Sequence, residues 1–162
     1  MKRFHQPLLG FLMAGFLASQ AFAAMDYVSA PDSKLTPGAF CARPNSYRFQ
    51  ERIPYCERNV DSSTKRLIIQ IYDQQLGTRI AQMPRDNFKI DHLVPLCIGG
   101  SNEMTNLWPQ HQSTFVITDK IEHITCEMMG RGDLMHNEAV EYVTTAKRDP
   151  RQAMKILEKL SR

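Results

Sequence analysis

At 162 residues, with 43% hydrophobic and 23% charged positions, the chain can bury one ordinary core and is too short for two full domains. Nine prolines and eight glycines are scattered without period, which excludes collagen-like, low-complexity and repeat architectures. The net charge of +3 falls to about +1 if the first 23 residues are removed, because Lys2 and Arg3 leave with them, so overall charge selects no class of partner.

Met1-Lys2-Arg3 is a short basic start, Pro7 to Ala18 is almost wholly apolar, and Ala21-Phe22-Ala23 has the small-residue pattern of a cleavage site. These features mark residues 1–23 as a secretory signal peptide, with cleavage expected after Ala23. The apolar run stops at Ser19 and Gln20, short of the ~20 residues a bilayer span requires. The protein is therefore expected to be exported, periplasmic or secreted, without stable membrane association after cleavage.

Export permits disulfides, and Cys41, Cys56, Cys97 and Cys126 are even in number. No Cys-x-x-Cys pair exists, so a four-cysteine zinc ribbon is set aside in favour of two disulfides. Of the three connectivities the sequential one is expected, Cys41–Cys56 and Cys97–Cys126.

Residues 24–39, with Pro31, Asp32, Ser33, Pro37 and Gly38, read as an irregular N-terminal arm ahead of a domain over 40–162. Between Arg43 and Cys56, turn residues are followed by Tyr47, Phe49, Ile53 and Tyr55 at alternating positions, which suits a short extended stretch or hairpin. Ser62 or Ser63 is placed to cap a helix to about Leu76, with Leu67, Ile68, Ile71 and Tyr72 at helical spacing and Gly77 as its stop. Phe88 to Leu96 alternates like a strand that Pro95 confines to an edge or an end. After a turn at Ile98 to Asn102, Met104 to Trp108 returns as a second extended piece. Pro109 is placed to open a helix from about Gln110 to Met129, Asn137 or Glu138 a further one to about Lys147, and Pro150 a last one ending near Leu160. Ala139, Val140, Val143, Met154, Ile156 and Leu157 are taken as packing surface, and Trp108 as core.

Charge is unevenly spread. Between Phe40 and Ile90 there are nine Arg or Lys against five acids, and from Asp91 onward eight against ten. Arg79, Arg85 and Lys89 are the cations expected to touch nucleic-acid phosphates if the basic half binds a polyanion.

The chemistry-bearing stretch runs from Ile90-Asp91-His92-Leu93-Val94-Pro95-Leu96 through Gly99-Gly100-Ser101-Asn102 to Asn106-Leu107-Trp108-Pro109-Gln110-His111. Alternation along a strand sends the side chains of Asp91 and His92 to opposite faces, so the acid cannot simply orient the imidazole as in a triad.

This stretch resembles the ββα-metal core of HNH endonucleases, in particular secreted bacterial members with Asp-His, Gly-Gly-Ser-Asn and Asn-Leu-Trp-Pro-Gln. The resemblance covers roughly residues 88–128. It implies an α+β fold, a mostly helical small domain around that core and stapled by disulfides. It further implies an exported endonuclease hydrolysing phosphodiester bonds of DNA, with RNA as an alternative, and little sequence preference. One divalent cation is implied, Mg2+ first and Mn2+ or Zn2+ as alternatives. By residue, the resemblance makes His92 the general base, Asp91 a metal ligand, and Asn106 the brace of the loop between the strands. The position about nine residues beyond Asn106, where many members place the last ligand, is Phe115. His111 is therefore taken as the second ligand, with Asp119 and His123 in reserve. The rival reading is a nucleic-acid-binding protein that keeps the fold without catalysis.

Overall fold

The computed structural model describes residues 26–162, so the leader and its cleavage site lie outside the described residues. The protein is α+β and about half helical, with two small antiparallel sheets and two disulfides. Among the described residues no helix is long and apolar enough to cross a membrane.

The arm is irregular, as its composition requires, but it is not loose packing. Thr36 is fully buried, its hydroxyl donating to the Leu107 carbonyl at 2.9 Å and meeting the Tyr72 hydroxyl at 2.7 Å. Strands β1 (Ser46–Arg48) and β2 (Ile53–Tyr55) form a hairpin in the register Ser46↔Tyr55 to Arg48↔Ile53. Cys41–Cys56 closes it at a Cα separation of 5.8 Å, and a loop of this length stabilises by about 3 kcal/mol in the chain-entropy model. Helix α1 (Ser62–Leu76) starts one residue earlier in its capping than expected: the Asp61 carboxylate, not a serine, accepts from Thr64 N at 2.7 Å. Gly77 ends it in the left-handed conformation, as expected.

Strand β3 is shorter than its pattern, Phe88–His92, and pairs antiparallel with β4 (Leu107–His111) from Phe88↔His111 to His92↔Leu107. β3 stops at His92 because Val94 gives both its backbone groups to the Asn106 side chain, which leaves none for a ladder. The return turn requires Gly100, since a Cβ there would sit 1.7 Å from the Val94 carbonyl oxygen. Pro109 does not open a helix. It lies inside β4 opposite Ile90, and helix α2 (Gln112–Arg131) begins after it with His111 as its cap.

Helices α3 (His136–Arg148) and α4 (Pro150–Leu160) pack with α2 around Ile121, Met129, Ala139, Val143, Ala146 and Ala153, while Met154 faces outward at 48% exposure. A second cluster joins Ile68 and Tyr72 of α1 to Phe88, Ile90, Leu107 and a fully buried Trp108. Cys97–Cys126 ties the turn after β3 to α2. The two β3–β4 faces thus lie between α1 on one side and the α2–α3–α4 layer on the other.

Candidate functional site

β3 delivers Asp91 and His92 at its end, and alternation parts them. Asp91 shares its face with Lys89 and Gln110, which reach α2 through Asp119 and Thr118. There the carboxylates of Asp91, Asp119 and Glu122 gather, with one oxygen from each lying within 4.8 Å of the others. They border a cleft of about 350 Å³ lined also by Arg58, Lys89, His123 and the Cys97–Cys126 pair.

Asp91 is 6% exposed. Burial pushes its carboxyl up, but Lys147 and Lys89 outweigh that and hold it below the usual carboxylate range. Its Oδ2 accepts from Lys147 Nζ at 2.7 Å, and Lys89 Nζ lies 3.4 Å from Oδ1. Lys89 also pairs with Asp119. Lys147, from the last turn of α3, is itself fully enclosed; burial works against its charge, and Asp91 and Glu122 overcome it and raise its pKa.

His92 does not line this cleft. It is 3% exposed, and burial lowers its pKa to about 4, so the ring is neutral through the physiological range. Its tautomer follows from its partner. The Asn102 amide nitrogen donates to the Glu57 carbonyl at 2.7 Å, which makes Oδ1 the atom facing His92 Nε2 at 3.2 Å. An amide oxygen only accepts, so Nε2 carries the proton and Nδ1 keeps the lone pair. Arg58 borders both groups: it lines the cleft, donates to the Ile90 carbonyl at 3.2 Å, and its charge helps keep His92 neutral.

Asn106 is fully buried. Its Oδ1 accepts from Val94 N at 2.9 Å, and its Nδ2 donates to the carbonyls of Val94 and Ser101, each at 2.9 Å. The side chain therefore ties both limbs of the loop between β3 and β4.

His111 is not brought to Asp91. It pairs with Phe88 at the far end of the sheet, on the face opposite Asp91, because β4 continues through Pro109 and the helix starts two residues late. There it stacks on Tyr27 at 3.8 Å, and its Nδ1 accepts from Ser113 N. Asp119, held in reserve, is the one brought to Asp91: its carboxylate belongs to the same cluster and is bonded by Lys89, the neighbour of Asp91 on that face of β3. His123 borders the cleft while pairing with Glu127 at 3.4 Å. Phe115 lies under the Lys89 ammonium, 5.2 Å from its ring centre.

Of the three cations expected to meet phosphates, only Lys89 belongs to the cleft. Arg79 pairs with Asp26 through Nε at 2.9 Å, and Arg85 donates to the Phe88 carbonyl at 2.6 Å. A larger groove of about 740 Å³ along α1 is bordered by Lys65, Arg66 and Arg85; of the expected site residues it holds Arg85 alone.

Three carboxylates are hard oxygen donors, which suit Mg2+, Mn2+ or Ca2+ better than a thiolate- and imidazole-seeking ion. Asp91, Asp119 and Glu122 are the residues that would hold one such cation, in a cluster that the Lys89 ammonium now bridges between Asp91 and Asp119. Glu122, Arg58 and Lys147 were given no role by the sequence, and Asn102 entered only as part of the Gly-Gly-Ser-Asn motif, without a role of its own. Glu122 had a further signal there, lying one helical turn from Asp119. No family model, curated protein or solved structure matches the chain.

Proposed function

We propose that the protein is an exported, metal-dependent endonuclease that hydrolyses phosphodiester bonds of DNA, or of RNA, with His92 as general base. The observation that carries the reading is the chemical state of His92: a neutral imidazole whose Nε2 proton is committed to Asn102, leaving Nδ1 as the base. It stands at the end of a strand–strand–helix unit, next in sequence to a carboxylate that shares a cluster with two more on the helix.

In this mechanism Nδ1 takes the proton of the attacking water, and Asn102 keeps the ring from turning. Arg58, bordering both His92 and the carboxylate cleft, meets the scissile phosphate and offsets its charge. Asp91, Asp119 and Glu122 would hold a divalent cation, which when bound would supply Lewis-acid stabilisation of charge on the phosphate and the departing oxygen. Asn106 holds the loop on which His92 and Asn102 depend. Among the described residues no base-reading module accompanies the site, which favours backbone contacts and little sequence preference. The two disulfides fit an oxidising compartment, in agreement with the leader reading.

Relaxation of supercoiled plasmid tests the reading. The disulfide-bonded protein is expected to nick plasmid with Mg2+ or Mn2+ and to stop in excess chelator. Binding without hydrolysis is a second reading, favoured by the two ammonium groups already beside Asp91. Plasmid retarded on a gel yet never nicked under any divalent ion selects it.

A further inference from the structure

Among the described residues Lys147 is the one buried ammonium, and its position is hard to explain by packing. Val143 and Ala146, its neighbours on α3, are fully buried and apolar, and a methylene side chain between them would fill the same space without desolvating a charge. An enclosed ammonium is tolerated when each proton finds an acceptor. Lys147 Nζ finds three: Asp91 Oδ2 at 2.7 Å, the His92 carbonyl at 2.6 Å and Glu122 Oε2 at 3.2 Å.

Two of those acceptors belong to consecutive residues. Because Asp91 and His92 point to opposite faces of β3, no single group could hold both through their side chains. Lys147 holds the first by its carboxylate and the second by its backbone, and bonds both to α2 through Glu122. With Oδ2 taken, Oδ1 is the Asp91 oxygen left on the side of Lys89 and the cleft.

We propose that Lys147 is a positioning residue of the phosphodiester-cleaving site, fixing the rotamer of Asp91 and the peptide that carries His92. This rests on the nuclease reading. Its side chain has 0% exposure, so it meets no substrate and acts through the two residues it holds.

The test uses Lys147→Met in the disulfide-bonded protein expressed from the full chain, with kcat and KM measured on plasmid in Mn2+ and the folded fraction followed by circular dichroism. Misplacing reacting groups by an ångström costs about 10²-fold, so kcat per folded molecule is expected to fall by that order while KM stays unchanged. Lys147→Arg, which restores charge and donors, is expected to recover part of the loss. If Lys147→Met does not fold, Lys147→Gln, which keeps two donors, is expected to show the same split at about tenfold. Wild-type kcat in either folded variant overturns the proposal, and so does failure of both to fold, which would make Lys147 a structural pin. Inert wild-type protein sinks the nuclease reading and this proposal together, whereas active wild type matched by the variants sinks this proposal alone.

Discussion

His92 and His111 stand at opposite ends of the same two strands, paired with Leu107 and Phe88 respectively. Both are buried, and burial lowers the pKa of each. Their company differs. His92 sits beside a salt-bridged carboxylate, an arginine and an asparagine that dictates its tautomer, while His111 stacks on Tyr27 and caps α2. A low imidazole pKa is thus a general result of burial, and what sets the His92 end apart is its neighbours: the adjacent Asp91, the charge of Arg58 and the side chain of Asn102.

The widest separation between the two ends is expected in hydrolysis. Loss of a general base costs ~10²–10⁴ in rate, so His92→Ala should abolish plasmid nicking with its far-ultraviolet circular dichroism unchanged. His111→Ala should nick at close to the wild-type rate. Equal losses in the two variants would erase the distinction.

Proton linkage sharpens it next. The unfolded chain protonates residue 92 near 6.5, whereas the native site resists to about 4. Between those values the unfolded state binds more protons, so the contribution of His92 is complete above pH 6.5 and is lost as pH falls to 4. It amounts to about 3 kcal/mol. Denaturant titrations at pH 7 and pH 4 should therefore show a larger drop in stability for wild type than for His92→Gln, and parallel drops would contradict the assignment.

Cation binding divides the ends a third way. Removing a ligand or its support commonly costs 10–100-fold in metal affinity, the order expected for Asp119→Asn in a Mn2+ titration followed by electron paramagnetic resonance. His111→Ala should bind Mn2+ as wild type does. The smallest effect is left to His111 itself: without its cap on Ser113 N, α2 is expected to lose about 1 kcal/mol, read as a lower urea midpoint at unchanged slope.

Local signals carried well where the physics is local. α1 ends at Gly77, where the pattern places its stop, because αL geometry belongs to that residue, and the four cysteines form two disulfides in the sequential pairing chosen from three. Pro109 misled for a related reason. Proline suits the first turn of a helix and also a strand position that donates to no ladder, and which applies depends on whether β3 lies alongside. Once β4 ran through Pro109, His111 moved off the Asp91 face and Asp119 onto it.

The amino-acid sequence by itself determined the position of α1, the adjacency of Asp91 and His92 on opposite faces of one strand, and the glycine turn behind them, since each depends on neighbours a few residues apart. Only the tertiary structure decided which groups complete the site. Glu57, Asn102, Glu122 and Lys147 come from four separate parts of the chain, with Lys147 reaching Asp91 across 56 positions. Periodicity cannot report that meeting, because a buried lysine on an apolar helix face has no local pattern of its own; its acceptors exist only after α3 has packed against β3 and α2.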